Sequence, residues 1–299
     1  MKKAIHLFSL ILACIILPPA VARAPWGDTC FAKSPLDRQI RYSFTLRNTT
    51  DRTLSHVDFW TYAPVKENTY QKCKRVETSH PCQIIVDGMG NQALHFSIDG
   101  MPPYATRILA IRADVSFQEG PIPAVEEDLR PYVAADKYIE VNAPEIQRTA
   151  TVLRQATPRE TVERIFQWVS EYIRHYEYAS EDRGALYALL TRKGDCSEAM
   201  YLFVALCRAS GIPARGIGGY VCAASTVLDP NAYHNWGEFY EGGTWHMADP
   251  QRRVFREGGS RYVAMRIIGQ APDNFMGDRN RFRCSVQGVE IRMNRPSER

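Results

Sequence analysis

An α+β fold is what this sequence predicts, with an antiparallel β-sandwich in its first half and a mixed helix-and-strand domain in its second. Three observations carry that expectation. From Gln39 to Ala113 apolar and polar residues alternate in short runs punctuated by Pro, Gly and Asn; the stretches 157–173 and 196–209 carry apolar residues at helical spacing; and strand-like runs succeed one another from Ala214 to Met247. The chain of 299 residues is 45% hydrophobic and 23% charged, an ordinary globular composition that is long enough for two domains.

The first 24 residues read as a leader. Lys2 and Lys3 form a positive start, Ala4 to Leu17 an apolar run too short for a comfortable membrane span, and Ala22-Arg23-Ala24 a small-residue cleavage pattern. Ile11-Leu12-Ala13-Cys14 loosely resembles a lipoprotein signal, but the apolar run continues past Cys14. The expected product is therefore a periplasmic or secreted protein with no membrane insertion beyond the leader, an uncleaved anchor being the alternative. Removing the leader takes away Lys2, Lys3 and Arg23 and leaves 34 basic against 33 acidic residues. That balance argues against nucleic acid as a partner.

The sandwich is expected over residues 25–118. Its strands are Ile40 to Leu46, Val57 to Tyr62, Gln83 to Val86, Ala93 to Ile98 and Thr106 to Ala113, with Asn48-Thr49-Thr50-Asp51 as a turn and a formal N-glycosylation acceptor. Residues 119–156, opening on Glu119-Gly120-Pro121, read as a linker and the start of a catalytic domain that occupies 157–299. There Thr157-Pro158-Arg159-Glu160 has capping-box form with proline at the first helical position, followed by Val162, Ile165, Phe166, Val169 and Ile173. A second helix starts at Cys196, shows Ala199, Leu202, Phe203, Leu206 and Ala209 on one face, and is stopped by Gly211 and Pro213. Strands are expected at 214–222, 235–240 and 244–247, with Glu241-Gly242-Gly243 as a tight turn and edge strands at 262–268 and 289–293.

Chemistry is expected at Gly194-Asp195-Cys196. A thiol in the first turn of a helix faces unpaired N–H groups and the positive end of the helix dipole, which favour the thiolate. His234 opens one strand of the expected hairpin and Asp249 follows its partner strand, so the two fall at a similar level on neighbouring strands. Cysteine as nucleophile, histidine as base and aspartate as the group that orients the imidazole form a catalytic triad. The Cys196 N–H is a natural oxyanion donor, and Tyr176 is a candidate second donor. Asp195 and Glu198 suit helix capping, which would absorb the charge that otherwise raises the pKa of the thiol. A zinc site from Cys196, His234, His246 and Asp249 lacks any paired ligand spacing, so no metal and no cofactor is expected. Trp236 and Tyr220 are expected in the core or pocket wall, and Arg252-Arg253 in a solvated loop.

Without the leader the chain keeps seven cysteines, an odd number in a compartment where disulfides form. Pairs of Cys73 with Cys82, Cys207 with Cys222 and Cys30 with Cys284 would leave Cys196 free, one of 15 connectivities for six cysteines.

Three segments resemble the transglutaminase-like superfamily, whose core is related to papain-like cysteine proteases. They are Lys193 to Glu198, Gly211-Ile212-Pro213-Ala214-Arg215 leading to Gly218-Gly219-Tyr220, and His234-Asn235-Trp236 through Trp245 to Asp249-Pro250. The resemblance implies a transglutaminase-like or papain-like catalytic domain after the sandwich, with Cys196, His234 and Asp249 in the three triad roles. Asn235 departs from the small residue, often alanine, that commonly follows the histidine of the family. The superfamily includes transglutaminases, peptidases, peptide N-glycanases and inactive members, so the fold leaves the substrate open. The expected activity is hydrolysis of an amide in a peptide or protein through an acyl-thioester; the alternatives are protein-glutamine amine transfer and an inactive module that binds a peptide or a cell-envelope partner.

Overall fold

Strand β1 (Leu36–Asn48) buries Ile40, Tyr42, Phe44 and Leu46, every second residue, so that one face of the strand is a continuous apolar row. That row meets the equivalent row of β2 (Leu54–Ala63) and β5 (Gln92–Met101) from a second sheet, and the rings of Phe44 and Phe59 lie 5.0 Å apart between them. Each such fully buried ring contributes on the order of 2–3 kcal/mol of transfer free energy. The remaining strands of this half are β3 (Gln71–Thr78), β4 (Gln83–Val86) and β6 (Thr106–Phe117). The computed structural model describes residues 36–121, 128–176, 181–269, 276, 281–284 and 286–296. The expected leader at 1–24 and Cys30 lie outside the described residues.

After the 119–156 stretch come α1 (Pro144–Leu153), α2 (Pro158–Tyr172), β7 (His175–Tyr176), α3 (Gly184–Thr191), β8 (Lys193–Gly194) and α4 (Cys196–Ala209). Then follow β9 (Ala214–Val221), β10 (Thr226–Val227), β11 (Tyr233–Glu241), β12 (Thr244–Asp249), β13 (Val254–Phe255), β14 (Tyr262–Ile268), β15 (Phe282–Cys284) and β16 (Val289–Met293). The capping box of α2 forms as expected: the Thr157 hydroxyl accepts from the Glu160 N–H, and the Glu160 carboxylate accepts from the Thr157 N–H. Helices α1 and α3 were not expected. Neither has a side chain capping its N-terminus, and the β-branched Thr149, Thr151 and Val152 of α1 weaken its local helix signal.

The chain returns to complete the sandwich. Strand β16 pairs antiparallel with β1, β10 pairs parallel with β1, and β15 pairs with β2, so the two sheets run β10-β1-β6-β3, with β16 also on β1, and β15-β2-β5-β4. Residues Ser34–Arg299 accordingly form one compact unit. Asn48, the formal glycosylation acceptor, is fully buried, and its amide donates to the carbonyls of Arg52, Met101 and Pro102. It pins a corner of the sandwich, and a folded chain offers it to no glycan.

The catalytic-half sheet runs β13-β12-β11-β9-β14, all neighbours antiparallel. Helix α4 lies across it and is buried on nearly every side. Glycine makes the close approach feasible: Gly216 and Gly237 are register partners, and a Cβ on either would come within 2.6 Å of Met200 or Phe203 of the helix.

The cysteine pairing differs from expectation. Cys73, Cys82, Cys207, Cys222 and Cys284 are all free thiols, as is Cys196. Cys207 is sealed in the core on α4 just before β9, whereas Cys222 follows the far end of β9. Eight extended residues place those ends about 26 Å apart, which no disulfide spans. Proximity in sequence misled here because a straight strand separates residues at its two ends.

Candidate active site

The start of α4 is built by reciprocal capping. The Asp195 carboxylate accepts from the Ser197 N–H at 2.7 Å, and the Glu198 carboxylate accepts from the N–H groups of Asp195 and Arg183, both at 2.9 Å. The two acids are therefore engaged as caps. Gly194 is demanded by this packing, since a Cβ there would lie 2.3 Å from the Cβ of Glu198. Parallel pairing of Tyr176 with Gly194 brings the β7 backbone alongside; the Tyr176 side chain lies outside what the structure describes.

Cys196 is the first residue of α4 and is half-buried. Burial first, then the Asp195 carboxylate and more weakly that of Asp249, push its thiol up to about 12, against the pull of the N–H groups of Asn235 and of Cys196 itself. Burial thus disfavours the thiolate that the helix start favours. A thiolate at this position requires a cation beside it.

Strand β11 supplies the candidate. The Asn235 side-chain amide donates to the Ser197 hydroxyl at 2.9 Å, so the residues that follow the cysteine and the histidine are bonded to each other. His234 itself is buried, and its Nε2 lies 2.6 Å from Oδ2 of the fully buried Asp249 on β12. With Nε2–H donating to the carboxylate, the neutral ring keeps its lone pair on Nδ1. Asn235, in the place where the family commonly has a smaller residue, becomes a tie between strand and helix.

Tyr262 on β14 escaped the sequence reading. Its hydroxyl donates to the same Oδ2 at 2.9 Å, and the Arg252 N–H donates to Oδ1 at 3.1 Å. Asp249 is thereby held by three donors from three segments. Trp236 packs against Tyr262 with ring centroids 5.0 Å apart and stacks at 6.5 Å from His234, forming the wall behind the imidazole. His246 stacks on Phe239, on the face of β12 opposite Asp249, so the four residues weighed as a zinc set do not converge. Nothing in the sequence marked Tyr262, because its contact with Asp249 joins strands separated by two others in the sheet.

A family model described as the transglutaminase-like superfamily matches residues 147–250, the segment holding α1 to α4 and the β9, β11 and β12 strands. Residues 147–250 form a transglutaminase-like domain. A solved structure offered as a cysteine protease candidate from Cytophaga hutchinsonii is 19% identical, covers 88% of this chain and 94% of its own, and superposes with a TM-score of 0.52. The fold shared with that structure therefore takes in the sandwich as well as residues 147–250. The periplasmic domain of TgpA from Pseudomonas aeruginosa is 16% identical over 71% of this chain and 88% of its own, with a TM-score of 0.42. No curated protein matches in sequence. Among the described residues no helix is long and apolar enough to cross a membrane.

Because the thiol is pushed so high, its alkylation is diagnostic. In a His234→Ala variant the rate of Cys196 modification by iodoacetamide, followed by peptide mass spectrometry, is expected to rise tenfold per pH unit from pH 7 to about pH 11. The unmodified protein is expected to show an additional plateau near neutral pH from the thiolate–imidazolium pair. Identical profiles for the two proteins would mean that His234 does not ionise the thiol.

Proposed function

We propose that the protein is an exported thiol enzyme that cleaves an amide bond in a peptide or protein through an acyl-thioester. The observation that carries the reading is the 2.6 Å bond from His234 Nε2 to Asp249, which leaves Nδ1 free to accept a proton. In the proposed cycle Cys196 Sγ attacks the carbonyl carbon while its proton passes to Nδ1 of His234. The N–H of Cys196, at a helix start where it has no intrahelical acceptor, stabilises the oxyanion. The imidazolium, held by Asp249, then returns the proton to the departing amine as the C–N bond breaks. Water attacks the thioester, losing its proton to Nδ1, and the carboxylic acid leaves as the thiolate reforms. Export rests on the leader pattern at residues 1–24.

The test compares this protein with Cys196→Ala on a peptide library, with and without a labelled primary amine, by mass spectrometry. Cleavage that depends on Cys196 and incorporates no label is the expected result. Cys196-dependent incorporation of the amine would replace hydrolysis by transglutamination. Products that appear equally with the variant would leave the chain as a binding module.

A further inference from the structure

Several partly or fully buried arginines of this protein meet a carboxylate: Arg215 meets Glu238, Arg183 meets Glu198 and Arg256 meets Glu241. One group does not. Arg281, Arg292 and Arg295 line a single groove of about 670 Å³, and none of them makes an ion pair with a described residue. Arg281 is the fixed member. Its guanidinium donates to the Pro230 carbonyl at 2.6 Å and lies 4.8 Å from the centre of the Tyr233 ring, which orients it without neutralising it. Arg292 and Arg295 stand exposed along and just beyond β16.

Three like charges in one concavity repel one another, and a groove with low-dielectric walls concentrates their field. The arrangement costs stability in the free protein and is relieved by an anion. Guanidinium groups present paired donors that match the two oxygens of a carboxylate. The groove is also near His234 along the chain. Its wall includes Asn231, three residues before His234, and even fully extended chain holds those two Cα atoms within about 11 Å of each other. A substrate in extended form covers that distance in about three to four residues.

We propose that this groove binds an acidic segment of the peptide substrate, carrying carboxylates about three to four residues from the scissile amide. The proposal rests on the amide-cleaving reading above and specifies its substrate class. Arg281, Arg292 and Arg295 act there as specificity residues and take no part in proton transfer.

The test separates binding from turnover. A fluorescent octapeptide containing four glutamates and its glutamine counterpart are titrated by anisotropy onto the Cys196→Ala protein, in low and in physiological salt. The glutamate peptide is expected to bind at least tenfold more tightly in low salt, with the advantage shrinking as salt rises. The double substitution Arg292→Glu, Arg295→Glu is expected to remove that advantage; both side chains are exposed, and an unchanged thermal midpoint verifies folding. Equal binding of the two peptides, or an advantage that survives the double substitution, overturns the proposal, as does tight binding of inorganic polyphosphate with no discrimination between the peptides. Retained discrimination with no Cys196-dependent cleavage of any peptide would overturn the enzymatic reading instead and leave the groove as a docking site for acidic peptides.

Discussion

Asp249→Asn is expected to lower kcat/KM on any Cys196-dependent substrate by about 10³-fold or more, with the fold retained. The carboxylate serves two donors at Oδ2, from His234 and Tyr262, and a third at Oδ1, from the Arg252 N–H. An amide has one acceptor atom to offer where the carboxylate has two. If its oxygen faces Arg252, its NH2 group confronts His234, the imidazole shifts its proton to Nδ1, and the atom that should accept the thiol proton already carries one. If its oxygen faces His234, the NH2 group meets the Arg252 N–H, two donors in a buried site, at a cost of about 1–3 kcal/mol. Both orientations also remove the negative charge that stabilises the imidazolium. Steady-state kinetics across pH, with a thermal melt as the folding control, reads the effect; activity within tenfold of the unmodified protein would remove Asp249 from the mechanism.

Glu238→Ala is expected to destabilise the protein by about 3–5 kcal/mol without touching the triad. Glu238 on β11 and Arg215 on β9 are register partners, both almost fully buried, joined at 2.8 Å. The Arg215 guanidinium also lies 4.0 Å from the centre of the fully buried Trp245 ring. Truncating the acid strands a guanidinium charge in that setting, whereas Glu238→Gln keeps an acceptor and is expected to cost less. Urea denaturation measures this as a fall in midpoint at constant slope. A change under 1 kcal/mol would show that water or a rearranged partner reaches Arg215.

These two residues mark different degrees of legibility. Asp249 was readable because the Glu241-Gly242-Gly243 turn sets the register of β11 and β12, and that register brings residue 249 opposite Trp236, diagonally across from His234 on the same face. Glu238 and Arg215 carried no such mark, since nothing local says that two charged residues in apolar strands will face each other. The same contrast runs through the fold. The starts of α2 and α4 were legible from capping boxes that span four residues, while α1 and α3, lacking a capping side chain, emerge only as walls against which α4 packs.

What the sequence by itself determined are the features whose cause lies within about a dozen residues. These are the alternation of the sandwich strands, the capped start of α4 that places Cys196, and the hairpin that brings Asp249 diagonally across from His234. Only the tertiary structure decided the rest. It brought β15 and β16 back onto the sandwich, set the Tyr262 hydroxyl on Asp249, tied Asn235 to Ser197, separated Cys207 from Cys222 by the length of β9, and gathered Arg281, Arg292 and Arg295 into one groove. It also set the burial of Cys196 that pushes its thiol up to about 12, because desolvation depends on every segment that packs over the thiol.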